Sequence, residues 1–133
     1  MADQVNSNAN SNKTILVCED DVFYANIYKT RLSAAGYQVE SANNGDDAIK
    51  MIARRKPDLL LLDLIMPTKD GFQVLEELRK NPTTKDLKII VFSNLGQEED
   101  IKRAKNFNVL NYFVKTDISI SELVKVVADA LAS

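Results

Sequence analysis

Residues 59–62 are four consecutive leucines, and Asp63 follows them without a break. A strand with one face in water alternates apolar and polar residues, so an unbroken apolar run implies cover on both faces. Strands of that kind belong to parallel sheets packed between helices. The run then turns through Pro67 and Gly71, in the stretch "DLLLLDLIMPTKDG" from residue 58 to 71. Neither a buried strand nor a simple surface turn calls for this combination. It is explained if the strand is a rigid post and Asp63 is the working group at its tip.

The rest of the chain follows the same plan. Short apolar or β-branched runs at 14–18, 37–41, 58–63, 87–93 and 109–114 read as strands. Between and after them, helical spacing of apolar residues predicts helices over 21–35, 46–55, 71–80, 98–106 and 120–131. Gly36, Pro57 and Asn81-Pro82 are stop signals, and Ser119 with Glu122 three residues on predicts a capped start for the last helix. Helix 98–106 has only Ile101 and Ala104 to hide. Five strands alternating with five helices predict an α/β fold, a doubly wound parallel sheet with helices on both faces. Residues 1–12, rich in Asn and Ser, read as a disordered polar leader, and 13–133 as one domain.

Composition removes several functional classes. The chain has 133 residues, with 17 basic and 19 acidic side chains and a net charge of −2. That balance gives no electrostatic reason to expect nucleic acid or an anionic membrane as partner. No apolar run reaches the ~18 residues of a membrane span, and the N-terminus has no apolar signal core. Cys18 is the one cysteine, which excludes an internal disulfide and fits a cytoplasmic protein. There is no histidine, so histidine triads and histidine-built zinc sites are excluded.

In an open parallel sheet, function collects beyond the carboxyl ends of the strands. There the sequence offers Glu19-Asp20-Asp21, Asp63, Ser93-Asn94 and Lys115-Thr116. Oxygen donors without histidine or a free thiolate suit a hard cation, and Mg²⁺ accepts one or two carboxylates while keeping several waters. A carboxylate nucleophile with a divalent cation, a lysine and a hydroxyl suits phosphoryl transfer to Asp63. Asp21 is expected to cap the following helix, and Cys18 to be a small buried apolar side chain.

These residues, in this order and on these strand ends, resemble the CheY-like response-regulator receiver domain of two-component signalling, in its single-domain form. The resemblance covers residues 13–133. It is carried by Glu19-Asp20, by "LLDLIMPTKDG" with its D-x-x-M-P-x-x-D-G spacing, by Ser93, and by Lys115 after "YFV". It implies a flavodoxin-like (βα)5 sheet of strand order 2-1-3-4-5. Asp63 would accept a phosphoryl group from a phosphohistidine on a sensor histidine kinase or histidine phosphotransfer protein. Mg²⁺, with Mn²⁺ as a substitute, would be held by Glu19 (through water), Asp20, Asp63 and the backbone carbonyl of Ile65. Lys115 would contact the phosphoryl oxygens, and Ser93 and Tyr112 would switch, altering the face of helix four, strand five and helix five. Such a chain is a signalling switch that catalyses only its own phosphorylation and dephosphorylation. It is expected to be a monomer, open to dimerising when phosphorylated. Because it ends near the end of the fifth helix, its output is expected through protein contact or passage of the phosphoryl group to another carrier, with no attached DNA-binding domain.

Three positions depart from the commonest pattern. Asn94 follows Ser93, where a small residue is usual. Thr116 follows Lys115, where proline with a cis bond is usual, so this bond is either trans or strained. Glu19 stands where aspartate is common. A haloacid-dehalogenase-type phosphohydrolase also uses an aspartate at a strand end, but it needs a second acid two residues on, where this chain has Ile65. A pseudo-receiver that binds partners without phosphorylation would be marked by loss of Asp63, Asp20 or Lys115, and all three are present.

Overall fold

A computed structural model describes residues 12–67 and 69–132. The expected leader, apart from its last position, lies outside the described residues. Strands β1 (Thr14–Cys18), β2 (Gln38–Ala42), β3 (Leu59–Leu62), β4 (Ile89–Ser93) and β5 (Asn111–Val114) alternate with helices α1 (Val22–Ala34), α2 (Gly45–Arg54), α3 (Gly71–Lys80), α4 (Glu98–Lys105) and α5 (Ile120–Leu131). The strands form one sheet in the order β2-β1-β3-β4-β5, and every pairing is parallel. This is the expected doubly wound architecture.

The leucine run explains how the sheet is covered. Side chains alternate across a strand, so Leu60 and Leu62 enter one core with Ala48, Ile52, Phe72, Leu75 and Ala104 of α2, α3 and α4. Leu59 and Leu61 enter the other with Tyr28 and Leu32 of α1 and Leu123, Val127 and Leu131 of α5. All four leucines are fully or almost fully buried. At roughly 2 kcal/mol for each buried leucine side chain, β3 is a firmly held segment from which a functional group can project.

Helix ends follow the local sequence. Asp21 caps α1 by accepting from the Phe23 N–H at 2.9 Å. Asp70 with Gln73, and Ser119 with Glu122, form capping boxes at the starts of α3 and α5. Gly36 ends the α1 turn at φ 103°, a conformation that a side chain would strain.

Some boundaries shift. β4 starts at Ile89 rather than 87, because the Leu87 N–H is used in a turn to the Thr84 carbonyl (3.0 Å). β5 starts at Asn111 rather than 109, because Asn108 is left-handed (φ 60°) and turns the chain in from α4. The guanidinium of Arg79, at the end of α3, anchors both approaches. It donates to the carbonyls of Phe107 (2.6 Å), Lys85 (2.9 Å), Leu87 (2.9 Å), Thr84 (3.3 Å) and Asn108 (3.3 Å). In α4 only Ala104 is fully buried, while Ile101 is half-buried, so this helix is thinly anchored as expected. No cis peptide bond occurs among the described residues, so Lys115-Thr116 is trans and opens a short 3-10 turn, Lys115–Asp117.

Candidate functional site

Sheet register alone brings the acidic residues together. Cys18 pairs with Leu62, so the next residues on each strand, Glu19 and Asp63, emerge side by side. The Asp63 N–H donates to the Cys18 carbonyl and the Glu19 N–H to that of Ala42, both at 3.0 Å, which extends the ladder one step past each strand. Ser93 pairs with Val114 at the last rung of the β4–β5 ladder, leaving Lys115 as the first residue beyond it. With Asp21 committed to the α1 cap, Asp20 is left in the loop beside Glu19.

Carboxylate oxygens of Glu19, Asp20 and Asp63 all lie within 4.8 Å of one another. Glu19 is 2% exposed and Asp63 6%, whereas Asp20 is open to solvent. The Lys115 ammonium reaches into this cluster. It ion-pairs with Glu19 Oε1 and lies 3.2 Å from Asp63 Oδ2. The other oxygen of Asp63, Oδ1, accepts from the Ile65 N–H at 3.1 Å. Asp63 therefore has a donor on each oxygen and a fixed orientation. Glu19 Oε2 is buried with no hydrogen-bond partner, the one such side-chain atom among the described residues.

Three carboxylates against one ammonium leave the crevice short of positive charge. Burial, with hydrogen bonding to Asp63, holds the Glu19 carboxyl well above the usual carboxylate range, although Lys115 pulls against this. Burial by itself would lower the Lys115 pKa, but its hydrogen bond to Glu19 and the charge of Asp63 reverse the balance and raise it, so the side chain stays an ammonium. Below them, burial and then the Asp63 and Glu19 charges push the Cys18 thiol up to about 12. Its sulfur sits 3.4 Å from that of Met66. This thiol is packing and not a nucleophile, as expected.

A divalent cation fits this donor set. The cluster is all oxygen, carries uncompensated negative charge, and contains a buried carboxylate oxygen without a partner. Glu19, Asp20 and Asp63 are thus brought together as expected, and the Ile65 peptide joins them through its N–H.

Ser93 and Tyr112 meet instead at Leu95. The Ser93 hydroxyl is fully buried and accepts from the Leu95 N–H at 3.4 Å, while the Tyr112 hydroxyl donates to the Leu95 carbonyl at 2.5 Å. Asn94 is exposed, and Ile65 is half-exposed. One residue of the site is not foreseeable from spacing. Tyr24, one turn before Tyr28 on α1, lies with its ring centroid 4.8 Å from the Lys115 ammonium. A tyrosine at a core-facing helical position gives no signal of such a contact.

The chain is similar to known proteins over most of its length. Residues 15–128 match the family model described as response regulator receiver domain. The probable transcriptional regulator ycf27 of Cyanophora paradoxa is 37% identical over 103 residues, covering 77% of this chain and 42% of that protein. The chain spans less than half the length of the curated relatives it matches. Among solved structures, a putative response regulator from Chloroflexus aurantiacus J-10-fl superposes with a TM-score of 0.83 at 30% identity, over 91% of this chain and 98% of that one. The Mn(2+)-bound form of response regulator Rcp1 superposes with a TM-score of 0.77 at 25% identity, over 90% of this chain and 94% of that one.

Proposed function

Because the chain belongs to the response regulator receiver domains of two-component signalling, we propose that it is a phosphorylation switch that takes a phosphoryl group from a phosphohistidine donor onto Asp63. One observation carries this reading: the Lys115 ammonium lies between buried Glu19 and Asp63, in a cluster with one carboxylate oxygen still unpartnered. Such an arrangement costs stability for a protein that only packs. It is the arrangement needed where negative charge must arrive and be neutralised.

Glu19, Asp20, Asp63 and the Ile65 carbonyl would hold Mg²⁺, or Mn²⁺ in its place. The cation, when bound, supplies the positive charge that lets an anionic donor approach and stabilises charge on the transferring group. This chain's residues do the rest. Lys115 and the Ile65 N–H hold the Asp63 carboxylate in one orientation, so a nucleophile is presented without loss of rotamer freedom at the moment of reaction. An Asp63 oxygen forms the new O–P bond as the P–N bond of the donor breaks, and the electron pair returns to the imidazole nitrogen. Lys115, already 3.2 Å from Asp63 Oδ2, is within a small swing of the new phosphoryl oxygens.

Output would follow from the grip on Leu95. Its N–H is held by Ser93 and its carbonyl by Tyr112. If the Ser93 hydroxyl turns to the phosphoryl group, the Leu95 N–H loses its acceptor, the segment leading to α4 slackens, and Tyr112 is released to turn inward. The thinly anchored α4, with β5 and α5, is then the face that a protein partner reads. The pseudo-receiver reading loses its motive here, since Asp63, Asp20 and Lys115 are all present and close together.

Intact mass after incubation with Mg²⁺ and acetyl phosphate tests the proposal, with Asp63→Asn as control. A gain of one phosphoryl group that needs Mg²⁺ and is absent in the control is expected. No gain in the wild-type protein refutes the acceptor assignment.

A further inference from the structure

The Lys115 ammonium has three sides occupied. Glu19 and Asp63 take two, and the face of the Tyr24 ring, 4.8 Å away, takes a third. A cation over an aromatic face is attracted by the ring quadrupole, and most strongly where water is excluded. The Lys115 side chain is only 6% exposed, so this contact is in the favourable regime.

Nor is the ring free to move away. Tyr24 lies in the first turn of α1, whose start is fixed by the Asp21 cap. It stacks on Tyr28 at 6.1 Å with an interplanar angle of 25°, and Phe23 meets its edge at 5.7 Å. Tyr28 is in turn locked edge-on to Phe92 at 5.0 Å. Phe92 immediately precedes Ser93 on β4. An aromatic row thus runs from the strand that carries Ser93 to the wall behind Lys115.

Lysine has a flexible four-carbon stem and a compact point charge, so by itself it holds no single position. We infer that Tyr24 is a positioning residue for Lys115: its braced ring backs the ammonium and directs its swing toward groups added to Asp63. The inference rests on the phosphoryl-acceptor reading of Asp63 for its functional consequence, though not for the contact itself. Without the ring, the ammonium gains rotamers that point away from the acceptor, and the fraction of molecules poised for transfer falls.

The test compares wild type with Tyr24→Phe, which keeps the ring, and Tyr24→Leu, which removes it. Tyr24→Met provides a second non-aromatic side chain if the leucine variant does not fold. Two quantities are read on each: the NMR shift of the Lys115 Hε protons, and the rate of phosphorylation by acetyl phosphate with Mg²⁺. Ring shielding should move the Hε protons upfield in wild type and Tyr24→Phe, and the effect should vanish in the non-aromatic variants. Phosphorylation should slow by about 3- to 30-fold without the ring and stay near wild type in Tyr24→Phe. Wild-type shift and rate in the non-aromatic variants would overturn the inference. So would a Tyr24→Phe rate as low as that of Tyr24→Leu, which would assign the effect to the hydroxyl. If wild type takes up no phosphoryl group, the acceptor reading has failed, and the Hε shift decides the Tyr24–Lys115 contact by itself.

Discussion

Gly71→Ala is a change that should damage the site from a position outside it. Gly71 opens α3 directly after the Asp70 cap, and its N–H donates to the Leu64 carbonyl at 3.0 Å. A Cβ there would lie 2.6 Å from the Asp63 carbonyl oxygen, 2.6 Å from Leu64 Cα and 2.7 Å from Leu64 Cδ2. The first two are about 0.8 Å short of the 3.4 Å at which contact becomes ordinary, and both belong to backbone. Backbone cannot rotate aside as a side chain can. The helix must back away from the end of β3, or the Asp63–Leu64 peptide must shift. Overpacking of this kind costs about 1–3 kcal/mol. The entropic gain from replacing a helical glycine offsets about 0.5–1 kcal/mol of it. With two backbone clashes the cost falls in the upper part of its range, so a net loss of about 2 kcal/mol is expected. Gly96→Ala is the internal control, since its Cβ would meet only Val114 methyls at 3.5 and 3.8 Å. That variant should stay within about 0.5 kcal/mol of wild type. Urea unfolding followed by circular dichroism measures both, and Mg²⁺ titration should show weaker binding in Gly71→Ala alone. Equal stability of the two variants would refute the reasoning.

Two further outcomes follow from the same geometry. Arg79→Met takes the guanidinium from five carbonyls, of which Thr84 keeps the Leu87 N–H, and at about 1 kcal/mol for each of the other four, reduced by partial access of water, the loss should be about 2–3 kcal/mol; a urea midpoint unchanged within error would contradict this. For pH, the Glu19 carboxyl is raised from 4.5 to about 8 in the metal-free protein, so the folded state holds a proton that the unfolded chain releases, and this group's contribution to stability falls as pH rises from about 4.5 to about 8. Mg²⁺ must displace that proton, so its apparent affinity should climb with pH up to about 8 and then level. Calorimetry at pH 7 in buffers of different ionisation enthalpy should detect most of one proton released in wild type and less in Glu19→Gln, and no release in wild type would sink the assignment.

Much of this was legible in the residues themselves. Strands covered on both faces follow from the unbroken run Leu59–Leu62, the end of α3 from Asn81-Pro82, and the start of α5 from Ser119 with its Glu122 partner. These are local effects, decided within a turn or two of chain, and residue identity determines them. The convergence of Glu19, Asp20, Asp63 and Lys115 was legible at one remove, because parallel strands of similar length bring their ends to one edge. The starts of β4 and β5 were not legible. They depend on the Leu87 turn and the left-handed Asn108, backbone conformations that no residue pattern announces, and on the Arg79 guanidinium, which ties both approaches to α3. The trans Lys115-Thr116 bond and the Glu19 oxygen left without a partner also needed the tertiary structure. So did the tyrosine behind Lys115. A cation meets a ring 91 residues earlier in the chain only after α1 has packed on the sheet. Periodicity records which face of a helix is buried, but not which group on another element that face will touch.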